Sequence, residues 1–94
     1  WSIITLWELT LKLSSGKADF ILNPDWMQQI QRSMNKNGAR CIGIESGHCE
    51  ILSTLPMVHR DPFDRMMVCQ AIHRDLTFVT ADSKIAGYPV KTLW

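Results

Sequence analysis

"HRDPFDRMMVCQAIHRDLTFVTAD", residues 59–82, carries a helix start, a helix and a strand in a single run. Asp61 stands before Pro62, the pairing expected of an N-cap and a first helical residue. Asp64 falls three positions on, where a carboxylate complements the exposed amides of a first turn. From Pro62 to about Arg74, Phe63, Met66, Met67, Ala71 and Ile72 form a wide apolar face suited to burial against a sheet. "LTFVTAD" then reads as a short, buried, β-branched strand that stops at Asp82, "SKIAG" as a turn or short helix, and "PVKTLW" as a last strand.

Upstream, "WSIIT" reads as a strand, with Thr5 capping a helix through "LWELTLKLSSG" in which Leu6, Leu9 and Leu13 recur at helical spacing, Glu8 lies in the first turn and Gly16 ends the run. "NPDWMQQIQRSMNKNG" places Pro24 near a helix start, Trp26, Met27, Ile30 and Met34 as an apolar stripe, and Gly38 as the stop. "RCIGI" reads as a brief strand, and "SGHCEILSTLP" as a short helix begun near Ser46 and closed by Pro56. Strands alternating with helices over short links imply an α/β layer built on a parallel sheet.

At 94 residues the chain is one domain by expectation, with a thin core, since a chain this short buries only about 60 to 65% of its unfolded surface. Hydrophobic residues at 46% and charged residues at 20% are ordinary globular values, which argues against disorder and against a membrane protein. No apolar run approaches the ~18 residues of a membrane span. A net charge of +1 excludes nucleic-acid binding by bulk field alone, so such a partner has to meet local lysines and arginines. Cys41, Cys49 and Cys69 are odd in number and without a CxxC, which points to a reducing cytosol rather than a disulfide framework. The chain opens at Trp1 directly in an apolar run without a basic leader, and the expectation is that an upstream segment has been left out.

Ligands of parallel sheets gather at the carboxyl ends of strands, where Asp82 is expected. Taken singly, Asp82 also fits a turn or cap, and Glu8 and Asp64 fit dipole complementation. Three acids at three strand–helix junctions are a sharper signal than any one of them. If they converge, their mutual repulsion calls for a divalent cation, and an oxygen-only ligand set selects Mg²⁺ or Mn²⁺. Such an ion takes phosphate oxygens, activates water and supports phosphoester hydrolysis.

"IITLWELTLKLSSGK" and "LPMVHRDPFDRMMVCQAIHRDLTFVTAD" resemble the PIN-domain ribonucleases, specifically the VapC-type toxins of toxin–antitoxin pairs. The resemblance runs on to "PVKTLW" and covers nearly the whole chain, with only the stretch from "NPDW" to "GIE" loosely patterned. It implies a parallel sheet flanked by helices, metal-dependent endonucleolytic cleavage of RNA in the cytoplasm, a homodimer, and inhibition by a cognate antitoxin protein. By motif position Glu8, Asp64 and Asp82 resemble the catalytic, metal-holding acids, and Asp61 resembles the extra acid of the "RDPFDR" subgroup, closer to a cap than a ligand. The family opens with a central strand ending in an aspartate, and this chain starts where the second strand should be. Residues 1–94 are therefore expected to be a single, N-terminally incomplete PIN domain, and the alternative to the enzyme is an inactive fragment that binds only an antitoxin or a sister chain.

Arg60, Arg65, Lys12 and Lys84 lie near the acidic junctions and are candidates for RNA phosphates, against ordinary solvated charge, which is the reading taken for Lys17. Arg65 can equally orient the carboxylate of Asp64. Thr80 can add a hydroxyl beside the ion, or serve simply as a β-branched strand residue. His48, His59 and His73 match none of the usual zinc spacings, so zinc is not expected. Trp7 and Trp26, tempting as base-stacking platforms, are read as core or dimer contacts.

Overall fold

A computed structural model describes residues 1–16 and 23–94. Lys17 lies outside the described residues. Contacts divide the chain into two compact units, Trp1–Gly43 and Ile44–Trp94. The described residues form four helices and a two-stranded parallel sheet, an α/β arrangement. No described helix is long and apolar enough to cross a membrane.

In the first unit, helix α1 (Ile3–Ser14) begins earlier than the sequence suggests. The Ser2 hydroxyl accepts the Ile4 N–H at 3.1 Å, and this cap starts the helix where β-branched Ile3 and Ile4 had argued for a strand. Burial of Ile4 and Leu6 then holds the helix in place. What remains of "WSIIT" and "RCIGI" as strands is one parallel bridge, Ser2 to Ile42. Ile3 N–H donates to the Ile42 carbonyl at 2.9 Å and Ile42 N–H to that of Trp1 at 2.8 Å. Glu8 consequently sits in mid-helix rather than in the first turn, where it meets Lys12 at 3.2 Å, four residues on.

Helix α2 (Trp26–Lys36) follows the expected bounds but buries none of its residues. Trp26 and Ile30 are half-buried, while Met27 and Met34 stay exposed. Its end is closed by Gly38, whose φ of +75° lets Gly38 N–H reach the Asn35 carbonyl and Ala39 N–H that of Met34.

In the second unit, α3 (Ser46–Thr54) and α4 (Pro62–His73) pack against each other. Both match their expected bounds, but α4 buries Arg65, Val68, Cys69, Gln70 and Ala71, and of the apolar face read from the sequence only Ala71 is buried while Phe63, Met66, Met67 and Ile72 are half-buried. Asp61 caps α4 as expected, its Oδ1 accepting Phe63 N–H at 2.9 Å. At the other end Leu76 N–H reaches the Ala71 carbonyl at 2.8 Å and Asp75 N–H that of Ile72 at 3.2 Å, a Schellman closure built on Asp75 at φ +55°. This turn feeds β1 (Thr77–Val79), which pairs in parallel with β2 (Lys91–Leu93) in the register Thr77 to Lys91, Phe78 to Thr92 and Val79 to Leu93. A 3₁₀ turn, Ile85–Gly87, lies in the crossover.

Val68 from α4, Ile85 and Tyr88 form the core, with Leu55, Ile72, Phe78 and Val90 packed around it. The strand read as buried is not: Thr77 and Val79 are exposed and only Phe78 is half-covered. A strand of three residues with one hydrogen-bonded partner turns a single side chain to the core, so its apolar run overstates its burial.

Candidate metal centre

The core arrangement fixes one polar constellation. Tyr88 is 4% exposed, and its hydroxyl accepts His59 N–H at 2.7 Å, donates to the His59 carbonyl at 3.2 Å and receives Arg65 Nη1 at 3.3 Å. The backbone of His59 is thereby held from both sides. Its ring then turns Nδ1 toward the helix start, where it accepts Asp61 N–H at 3.1 Å. A neutral ring with Nδ1 accepting carries its proton on Nε2. That nitrogen lies 3.3 Å from Asp64 Oδ2 and 3.2 Å from Asp82 Oδ2.

Two of the three candidate acids therefore meet, from positions 64 and 82, at a single imidazole nitrogen. Asp64 is carried by the first turn of α4 and Asp82 by the loop after β1. Asp82 is held on two sides: its Oδ1 accepts Lys84 N–H at 2.9 Å and its own N–H donates to Thr80 Oγ1 at 3.0 Å. The Lys84 amide depresses the Asp82 pKa below the ordinary carboxylate value, with His59 and the Lys84 charge assisting against a smaller desolvation effect. The carboxylate is thus ionised at neutral pH and ready as an anionic ligand.

One potential ligand atom from each of His59, Asp64 and Asp82 lies within 4.8 Å of the others. Ligands of an octahedral Mg²⁺ at about 2.1 Å stand about 3.0 Å apart when adjacent and about 4.2 Å when opposite. Small side-chain rotations bridge that gap. The donor set fits a divalent ion, with two carboxylate oxygens as hard ligands and His59 beside them as a hydrogen-bond donor or, with its ring proton moved from Nε2 to Nδ1 and the Asp61 N–H bond to Nδ1 opened, as a nitrogen ligand.

The other candidates fall in different places. Glu8 belongs to the first unit and pairs there with Lys12. Asp61 spends one carboxylate oxygen on the helix cap. The Thr80 hydroxyl braces the Asp82 backbone. Arg60 and Lys84 are exposed beside the constellation in sequence, whereas Arg65 is 9% exposed and donates from Nη1 to the Pro56 carbonyl at 2.9 Å as well as to Tyr88. That geometry makes Arg65 a packing cation of the core.

His59 and Tyr88 are the site residues that sequence reasoning missed. The signal for His59 was its place two residues ahead of the Asp61 cap, within reach of that residue's N–H. Considering the three histidines only as a zinc set hid it. No protein-family model, curated protein or solved structure matches the chain.

Proposed function

We propose that this chain is the catalytic domain, or most of one, of a metal-dependent endoribonuclease of the PIN type, a VapC-like toxin. The observation that carries the reading is the convergence of Asp64 and Asp82 on His59 Nε2. Both acids belong to the motif whose resemblance suggested the family. Asp64 and Asp82 would hold Mg²⁺ or Mn²⁺, and Glu8 is carried over from the family pattern alone. When bound, the ion supplies a water of lowered pKa and neutralises charge building on the phosphodiester.

His59 keeps the two carboxylates facing each other, and Tyr88 keeps His59 in place. Arg60 and Lys84, both exposed, offer cations to RNA phosphates. The partners in this reading are RNA, an antitoxin protein and a second copy of the chain, and its setting is the cytoplasm. A second reading, an inactive module that only binds an antitoxin or itself, is favoured by the apolar side chains left exposed on β1, β2 and the C-terminus: Val79, Leu93 and Trp94 at 66%, 62% and 88%.

The experiment is cleavage of a mixed RNA substrate with and without Mg²⁺ or Mn²⁺, by the chain and by Asp64→Asn and Asp82→Asn. Metal-dependent cutting that falls in both variants by more than the about 100-fold typical of outer-shell changes supports the nuclease. Metal-dependent cutting retained in both variants removes the proposed site. A chain that cuts nothing but self-associates is the binding module.

A further inference from the structure

A second cluster of potential ligands lies in the same unit and takes no part in the site above. Glu45 is the N-cap residue of α3, His48 its third residue and His73 the last residue of α4. One ligand atom from each lies within 4.8 Å of the others. The two rings meet edge to face, 4.9 Å between centroids and 88° between planes. Gly47 makes the approach possible, since a Cβ there would come within 2.8 Å of His73 Cδ2. Glu45 and His73 are exposed, and His48 is wholly buried at 0%.

His48 is the decisive group. Its Nδ1 accepts Glu45 N–H at 3.0 Å, half of a capping box whose other half is the Glu45 carboxylate on His48 N–H. The proton of the neutral ring then sits on Nε2, and buried Nε2 has no hydrogen-bond partner among the described residues. A buried donor left in that state keeps the full cost of its desolvation. A capping box is usually completed by Glu or Gln, either of which spans it without an orphaned nitrogen.

We propose that Glu45, His48 and His73 form a binding site for a borderline divalent ion of the zinc class. Two imidazoles and one carboxylate are a zinc ligand set, and the exposure of Glu45 and His73 leaves a position for water. Burial, with His73 next, lowers the His48 pKa and keeps that ring neutral, as a ligand must be. The Glu45 carboxylate leaves its ion pair with Arg74, 3.1 Å away and about half exposed on both sides, which costs little. Binding has a proton balance. The ion takes Nε2, the ring proton moves from Nε2 to Nδ1, and the Glu45 N–H···Nδ1 bond opens. One neutral hydrogen bond is exchanged for a metal–nitrogen bond, and the two donors that then face each other, Nδ1–H and Glu45 N–H, turn apart to other acceptors, Glu45 at the exposed start of α3.

The test is calorimetric titration of the whole chain with Zn²⁺, with Co²⁺ absorption and histidine ¹⁵N spectra as second readouts. It uses wild type, His73→Gln, Glu45→Gln and an Asp64→Asn/Asp82→Asn double variant. His73 and Glu45 are exposed, so their variants test binding without emptying the core. The expected result is one Zn²⁺ per chain that survives in the double aspartate variant and weakens in His73→Gln by more than about 100-fold. The His48 ring should also pass from the Nε2–H to the Nδ1–H tautomer on saturation. The proposal is overturned by absence of Zn²⁺ binding, by zinc that disappears in the aspartate variant yet persists in His73→Gln, or by a His48 ring whose tautomer does not change. Because the aspartate variant isolates this site from the first, its failure leaves the nuclease reading standing.

Discussion

The two ends of α4 carry the same kind of object in opposite chemical keys. At the N-terminal end, Asp64 and Asp82 face one imidazole, and oxygen ligands predominate; at the C-terminal end, His48 and His73 face one carboxylate, and nitrogen predominates. Asp64 and His73 stand nine positions apart, about 14 Å along a helix. The helix dipole favours that division, since its N-terminus stabilises anions and its C-terminus tolerates cations and imidazolium. Burial divides the two ends as well: the ring at the first end has every nitrogen engaged, whereas the ring at the second is enclosed with one nitrogen unsatisfied. One end is held ready by protein donors alone, and the other is left incomplete by them.

The sharpest way to break the comparison is to remove what both ends share. Ile85→Ala, in a core residue 1% exposed, should cost about 2–5 kcal/mol and degrade both ends together, read by denaturant unfolding and by metal titration. If one end lost affinity and the other did not, the two would not rest on a common core. Tyr88→Phe sharpens the contrast instead. It strips the hydroxyl from His59 and Arg65, should cost about 1–3 kcal/mol, and should loosen only the N-terminal end, visible as altered His59 shifts with unchanged His48 shifts. Asp61→Ala removes the α4 cap and is expected to cost about 1 kcal/mol in chemical denaturation.

Acidity separates the ends further. His48 has a folded pKa below its ordinary value, so the unfolded chain binds a proton first as pH falls. Its contribution to stability is whole above the ordinary imidazole value near 6.5 and is lost as pH drops from there toward the folded pKa. Asp82, also depressed, gives a contribution that is whole above the ordinary carboxylate range and is lost only at more acid pH. Unfolding curves taken stepwise from pH 8 to pH 3 should therefore show a loss beginning near pH 6.5 that His48→Gln abolishes, and a later one that Asp82→Asn abolishes. The smallest expected effect lies outside both ends. Glu8→Gln removes an exposed pair with Lys12 and should change stability by less than about 0.5 kcal/mol.

Sequence reading served best where the rule was local. The bounds of α3 and α4, the Asp61 cap and the Gly38 stop each follow from a few neighbouring residues, and each is found. It failed at Ile3 and Ile4, where a β-branched pair outweighed the Ser2 cap in the reading but not in the folded chain. For the candidate site, the sequence singled out Asp64 and Asp82, which meet at His59, by their place at element junctions, while Glu8, chosen on the same ground, pairs with Lys12 in the first unit. His59 was not legible, because its role depends on a buried tyrosine 29 residues away, and no spacing rule encodes that contact. His48 was hidden for a related reason: histidine in place of glutamate in a capping box looks like a surface substitution until its burial is known.

Asp75 leaves α4 through a left-handed backbone where glycine would cost nothing, and its carboxylate reaches Lys91 of β2 at 2.9 Å. A glycine at 75 would remove the Cβ crowding of that turn at some cost in chain entropy, and would lose the exposed ion pair. The aspartate keeps something that strain alone does not measure: it names which lysine the second strand must bring alongside, and so gives a sheet only three rungs deep a marker against slipping by one.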